Sequence, residues 1–204
     1  VAMKWADNIR AGHLPHHLVR KSLETTIMKT LEYPLPVTCF TKEQCDAILL
    51  PIMKTGLSRM GVVNTIPLAI RYGTQSRQGL GMKHLYTMQG IQHMVRLMKY
   101  TIHKHNLTGE LLHTTIQDAK LELGLNGPVT SHSFLSAGHL LTETWFKSTW
   151  LFLARYGMRW DDDTPDFDES RTGDELLMHM FMMKGYEGKV LRSLNLCRLY
   201  LRIL

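Results

Sequence analysis

The 204 residues suit one large domain or two small ones, and the 44% that are apolar can build a packed core, so disorder is not the default reading. The net charge of +6 favours an anionic partner such as nucleic acid. The most apolar stretch, Trp145 to Tyr156, contains Lys147 and Arg155 and falls short of the about 20 apolar residues a membrane-spanning helix needs.

The charge is unevenly placed. Residues 1–100 hold 13 Lys and Arg against 5 Asp and Glu, whereas residues 101–204 hold 11 against 13. Any electrostatic footprint therefore belongs to the first half. Cys39, Cys45 and Cys197 follow no pairing or metal spacing and read as free thiols in a reducing, intracellular compartment, nucleus or cytoplasm. The opening residues VAMKWADNIR are polar and charged, unlike a secretory signal. The chain starts at Val1 and stops at Leu204 inside an apolar-periodic run, so we expect a segment of a longer polypeptide.

In chain order, the spacing of Val19, Leu23, Ile27 and Thr30 or Leu31 predicts a helix from about Pro15 to Leu31, with Lys21, Glu24 and Met28 facing elsewhere. Tyr33-Pro34-Leu35-Pro36 ends it, and Val37 to Phe40 form a short extended link. Thr41 and Gln44 have capping-box spacing and open a helix with Cys45, Ile48, Leu49, Ile52 and Met53 inward. Pro51 should kink that helix, and Gly61 should end it. Residues 62–83 read as a structured connection in which Gly79-Leu80-Gly81 forms a turn; a phosphate loop would end in Gly-Lys-Ser/Thr.

A helix from His84 to His105 is expected to bury Met88, Ile91, Val95, Met98 and Ile102. Thr108 should cap the next, with Leu112, Ile116, Ala119 and Leu123 inward and Gly124 to Pro128 stopping it. One helix is expected from Ser131 to Tyr156, then an acidic loop over 160–171. Eight acids fall between Asp161 and Glu175, which reads as a solvated charge block. Thr172 to Glu175 is a second capping box, before a helix through Leu176, Leu177, Met180 and Phe181 that ends at Gly185. A last helix carries Val190, Leu194, Cys197 and Leu201. The predicted fold is mainly α, a helical bundle with a short extended or minor β connection. Residues 1–128 would form a basic helical region and 129–204 a helical C-terminal region carrying the acidic loop.

Few residues suggest chemistry. His13, His16 and His17 cluster around Pro15, and His103 lies near His105, but neither group has the second ligand pair that zinc wants; solvated or phosphate-facing imidazole is the simpler reading. Asp161-Asp162-Asp163 is contiguous, whereas two-metal sites hold carboxylates on separate elements. Ser131-His132-Ser133-Phe134 resembles the histidine box of tyrosine recombinases, but Leu135 stands where that box wants arginine. The better lead is basic. Arg20, Lys21 and Lys29 lie on the first firm helix, and Arg71, Arg77 and Lys83 bracket the glycine-rich connection, where they can neutralise phosphates without reading bases.

Four stretches carry a resemblance: Lys21 to Pro36; Thr41 to Gly61; Arg71-Tyr72-Gly73 with Gln78-Gly79-Leu80-Gly81 and Leu85 to Ile91; and Leu194 to Leu201. Together they resemble the region after the catalytic palm in reverse transcriptases of eukaryotic retroelements lacking long terminal repeats, or of their relatives. The resemblance implies a thumb or connection segment that grips an RNA–DNA or DNA duplex and works with a palm absent from this sequence. It implies magnesium for the parent polymerase, and no cofactor and no catalytic residue for this chain, because the Tyr-x-Asp-Asp turn is missing and Asp161-Asp162 follows Trp160. The alternatives are a helical protein-interaction module of a degenerate element and a tyrosine-recombinase-like fragment resting on His132.

Overall fold

The computed structural model describes residues 1–102, 106–142, 144–161, 164–167 and 173–204. The protein is mainly α-helical, and no β-strand occurs among the described residues. It divides into two compact units, Val1–His93 and Met94–Leu204, with one helix running through the division. No helix among the described residues is long and apolar enough to cross a membrane.

In the first unit, α1 (Ala2–Ala11) packs along α4 (Lys42–Arg59) and buries Trp5, Ala6 and Ile9. Gly56 of α4 permits the approach: a Cβ there would lie 3.0 Å from Leu23 Cδ1 and 3.6 Å from the Trp5 ring. The indole Nε1 donates to Ser22 Oγ at 3.1 Å. Helix α2 (His16–Ser22), a π-helical turn (Leu23–Ile27) and α3 (Met28–Glu32) follow without a break. Val19, Leu23 and Ile27 are buried as their spacing predicts. Met28 is buried too, against expectation. Its N–H reaches back to Leu23 O, and the extra residue in that wide turn swings Met28 onto the inner face.

Thr41 and Gln44 form the expected capping box: Gln44 N donates to Thr41 Oγ1 at 3.3 Å, and Thr41 N to Gln44 Oε1 at 2.9 Å. Helix α4 continues through Pro51 to Arg59, and Gly61 follows at φ 76°. The connection holds α5 (Leu68–Tyr72) and a 3-10 turn (Gln75–Arg77), closed by main-chain bonds from Leu80 to Ile70, Gly81 to Gly73 and Met82 to Arg71. Gly79 is there for space, since a Cβ would fall 2.2 Å from Gly73 O.

Helix α6 (Leu85–Ile102) presents a different inner face from the one expected. Leu85, Tyr86, Gln89, His93 and Leu97 are buried, whereas Ile91, Val95 and Met98 are exposed. The cause is polar. Gln89 Oε1 accepts from Phe40 N at 3.0 Å, and its Nε2 donates to Phe40 O at 3.0 Å. His93 Nε2 donates to the carbonyls of Leu35 (3.1 Å) and Thr38 (3.0 Å). The extended link thus finds its main-chain partners on α6, which turns the helix inward on Gln89 and His93. His103, His105 and the side chain of Ile102 lie outside what is described.

In the second unit, α7 (Leu107–Leu123) is capped by Asn106, whose Oδ1 accepts from Gly109 N at 2.8 Å; Thr108 sits inside the helix. Ile116, Ala119 and Leu123 are buried as expected and join Val129, Phe146, Trp150, Met178 and Leu191 in the core. The single helix expected from Ser131 to Tyr156 is instead a 3-10 turn (Val129–Ser131), α8 (Phe134–Ala137), a second 3-10 turn (Gly138–Leu140) and α9 (Trp145–Arg155). Side chains capture the backbone at the break: Glu122 Oε2 accepts from Thr142 N at 2.9 Å, and Thr144 Oγ1 caps α9 by accepting from Lys147 N at 3.2 Å. Helix α10 (Leu177–Met183) follows Leu176 without a side-chain cap, and Gly185 follows it at φ 80°. The proposed cap Thr172 lies outside the described residues.

Helix α11 (Gly188–Leu201) buries Leu191, Asn195 and Arg198, and leaves Val190, Cys197 and Leu201 exposed, a face one residue away from the expected one. Arg198 Nη2 donates to the carbonyls of Leu121 (2.7 Å) and Glu122 (3.0 Å), and Asn195 Nδ2 to Glu122 O (2.8 Å). Together they satisfy the last turn of α7.

Candidate nucleic-acid interface

All six basic residues singled out in the sequence belong to the first unit. On α2, Arg20 is fixed at both edges: Nε donates to Glu24 Oε1 at 2.9 Å, and Nη2 donates to Leu80 O at 2.9 Å. That second bond fastens the helix to the glycine-rich connection. Lys29 and Lys83 are brought together at Glu32, with Nζ–Oε distances of 3.3 and 2.6 Å. Lys21 and Arg77 are exposed. Arg71 turns into its own connection, where Nη2 donates to Asn64 O at 2.8 Å and Nε is enclosed. The structure therefore places five of the six where an anion can reach them and uses Arg71 locally.

Arg20 also lines a cavity of about 200 Å³ with His16, His17, Met60, Val62, Leu80 and Met82. The two histidines precede Arg20 by four and three residues, so all three side chains share one helical face. The pattern is visible in the sequence as a histidine cluster; what the sequence lacks is the wall opposite, supplied by the residues after α4 and by the connection.

Two titratable groups of α4, Asp46 and Cys45, serve the fold. Burial pushes the Asp46 carboxyl up, but hydrogen bonds from Lys42 and His84 outweigh it and hold the group below its ordinary value. Burial, reinforced by Asp46 and Glu43, pushes the Cys45 thiol up to about 11. Among the described residues no group of three His, Cys, Asp or Glu could hold a metal ion. Asp162 and Asp163 lie outside that set.

The second unit has a larger open cavity of about 720 Å³, lined by Asn126, His132, Phe167, Asp174, His179 and Leu204 among others. His132 Nε2 donates to Asn126 O at 2.9 Å, and Leu135, at the position where a recombinase box has arginine, is 93% exposed. The acidic loop is not wholly solvated: Lys120 Nζ, itself 2% exposed, donates to Thr164 O, Pro165 O and Asp166 Oδ1 at 3.0, 3.0 and 2.7 Å. Phe167 N adds a bond to Asn126 Oδ1 at 2.9 Å. Nothing in the spacing of α7 marks Lys120 as the residue that would anchor this segment.

No protein-family model, curated protein or solved structure matches this chain.

Proposed function

We propose that this chain is a nucleic-acid-gripping segment of a retroelement's RNA-directed DNA polymerase, acting inside the cell beside a palm that supplies the catalytic aspartates and their magnesium. The observation that carries the reading is the set of cations of the first unit that reach solvent, of which Arg20, Lys29 and Lys83 are held in place by Leu80 O, Glu24 and Glu32. These cations are already ion-paired, but the pairs are partly exposed. The Arg20–Glu24 pair is open to water and such a pair is worth about 0–1 kcal/mol, so a duplex phosphate can displace Glu24 at small cost. Glu32, by contrast, is 12% exposed, and Lys29 and Lys83 would meet a phosphate with their remaining ammonium donors. Side chains held in this way meet the backbone with less ordering to do on binding. Binding of the whole chain to a labelled RNA–DNA hybrid tests the reading directly: sequence-independent, salt-sensitive association supports it, and no association at low salt refutes it.

One observation favours a second reading, a helical protein-interaction module. Val95 and Met98 on α6 are 53% and 56% exposed although both are large and apolar. Apolar side chains grouped on one exposed helix face suit a partner helix.

A further inference from the structure

We infer that the cavity bounded by His16, His17 and Arg20 is a binding site for a single phosphate group, which the protein holds more tightly when the two imidazoles are protonated. The inference rests on the nucleic-acid reading for its natural ligand, a backbone phosphodiester, and goes beyond it by naming a pocket and a pH dependence.

The geometry is specific. His16, His17 and Arg20 rise from one face of α2, and the opposite wall is Met60, Val62, Leu80 and Met82. At about 200 Å³ the space accepts a phosphate with part of its sugar or a few waters, and is too small for a base pair. Gly61, at φ 76°, passes close to the His16 ring: a Cβ there would lie 3.3 Å from Nδ1 and Cε1. The guanidinium of Arg20 is oriented before any ligand arrives, because Glu24 and Leu80 O hold Nε and Nη2. Among the described residues its Nη1 has no such partner, which leaves one donor group for an oxyanion.

The charged groups around the imidazoles are few. Their own helix supplies Arg20 and Lys21, which lies four residues after His17, and the π-helical turn that follows supplies Glu24, paired with Arg20. Met60, Gly61 and Val62 bring no titratable side chain, and neither do Leu80 and Met82. Lys83, next in sequence, is engaged by Glu32. The pocket therefore holds one fixed cation and two histidines, and imidazole is the side chain that takes up charge between about pH 5 and 8. A phosphodiester keeps its single negative charge over that range, so a pH effect on duplex binding reports the protein. A phosphate monoester offers the same oxyanion and would enter the same pocket.

The test compares the full wild-type chain with the double variant His16→Gln/His17→Gln, which keeps polar side chains of similar size on an exposed face. In the first arm, inorganic phosphate is titrated at constant ionic strength near pH 6 while amide and imidazole resonances are followed. Saturable shifts at residues 16–20, 60–62 and 80–82 of wild type, lost in the variant, are expected. In the second arm, hybrid affinity is measured near pH 5.5 and pH 7.5. Wild type should bind on the order of tenfold tighter at the lower pH, about one hydrogen bond to a charged group, and the variant should show no such gain. Hybrid binding with an identical pH response in both proteins would overturn the pocket and leave the gripping reading standing. Phosphate shifts at the pocket without hybrid binding would do the reverse. Phosphate perturbation spread evenly over the basic surface would overturn the pocket as well.

Discussion

The ammonium of Lys120 on α7 lies 2.7 Å from Asp166 Oδ1, which also accepts from Gly127 N at 2.7 Å. A cation almost wholly removed from water thereby ties an acidic segment to the helix that organises the second unit. The hydrogen bond from Lys120, then that from Gly127, holds the Asp166 carboxyl below its ordinary value. A carboxyl depressed by folding stabilises the protein above its unfolded value and loses that contribution as pH falls through the folded value. Asp166→Asn should therefore flatten the acid limb of stability below about pH 4. Lys120→Met should cost about 2 kcal/mol by removing three hydrogen bonds donated by a buried ammonium, and should raise hydrogen exchange at residues 164–167. Denaturant melts at several pH values check the first, and exchange mass spectrometry the second.

Arg198 makes a parallel prediction. Its guanidinium, 2% exposed, donates to Leu121, Glu122 and Ile203 carbonyls and to Asn195 Oδ1. Arg198→Met should destabilise the protein by about 3 kcal/mol, since it removes the buried donor to the carbonyls of Leu121, Glu122 and Ile203. Gly124→Ala should also be costly. Gly124 has φ 62°, and a Cβ there would fall 2.8 Å from Arg198 Cζ. Thermal melts of both variants should fall clearly below wild type, and equal stability would mean that Arg198 does not cap α7.

These two cations show which features are legible in the sequence and which are not. The capping box at Thr41 and Gln44 is local, four residues that satisfy one another, and its spacing alone reveals it. The same holds for the apolar stripe of Val19, Leu23 and Ile27, because both its spacing and its burial follow from apolar side chains alone. The inner faces of α6 and α11 depart from their apolar periodicity because their key residues are polar: Gln89 and His93 on one, Asn195 and Arg198 on the other. Each is buried to satisfy main-chain groups tens of residues away, a partnership no periodicity reveals. The basic residues of the candidate interface can be picked out by type, but the meeting of Lys29 and Lys83 at Glu32 is a product of the fold.

The connection that carries Arg77 and Lys83 should depend on Gly79. A methyl group there would strike Gly73 O, and Leu80, the next residue, supplies the carbonyl that orients Arg20. Gly79→Ala should accelerate exchange at residues 70–82 and weaken hybrid binding severalfold while the second unit keeps its protection. Unchanged exchange would show that the close approach of the two glycines is not needed.

The thiols should separate sharply. Cys45 is buried and its thiol is pushed up to about 11, whereas Cys39 and Cys197 are exposed. Alkylation of the native protein near pH 8 should label Cys39 and Cys197 and spare Cys45, and denaturant should release it. Mass spectrometry of the labelled peptides gives the answer, and rapid native labelling of Cys45 would contradict the packing of α4.

The most direct measurement is a salt titration of a fluorescent RNA–DNA hybrid against wild type, Arg20→Glu/Lys21→Glu and Arg155→Glu/Arg159→Glu. Arg20 and Lys21 lie on α2, whereas Arg155 ends α9 and Arg159 follows it, next to the acidic segment. Each phosphate neutralised contributes about −0.7 to −0.9 to the log–log slope of affinity against salt. The gripping role requires that reversing Arg20 and Lys21 weakens binding across all sequences and flattens the slope by about one unit for every phosphate no longer neutralised, while reversing Arg155 and Arg159 changes little. An equal weakening from both pairs, or no hybrid binding at low salt by the folded chain, would contradict it.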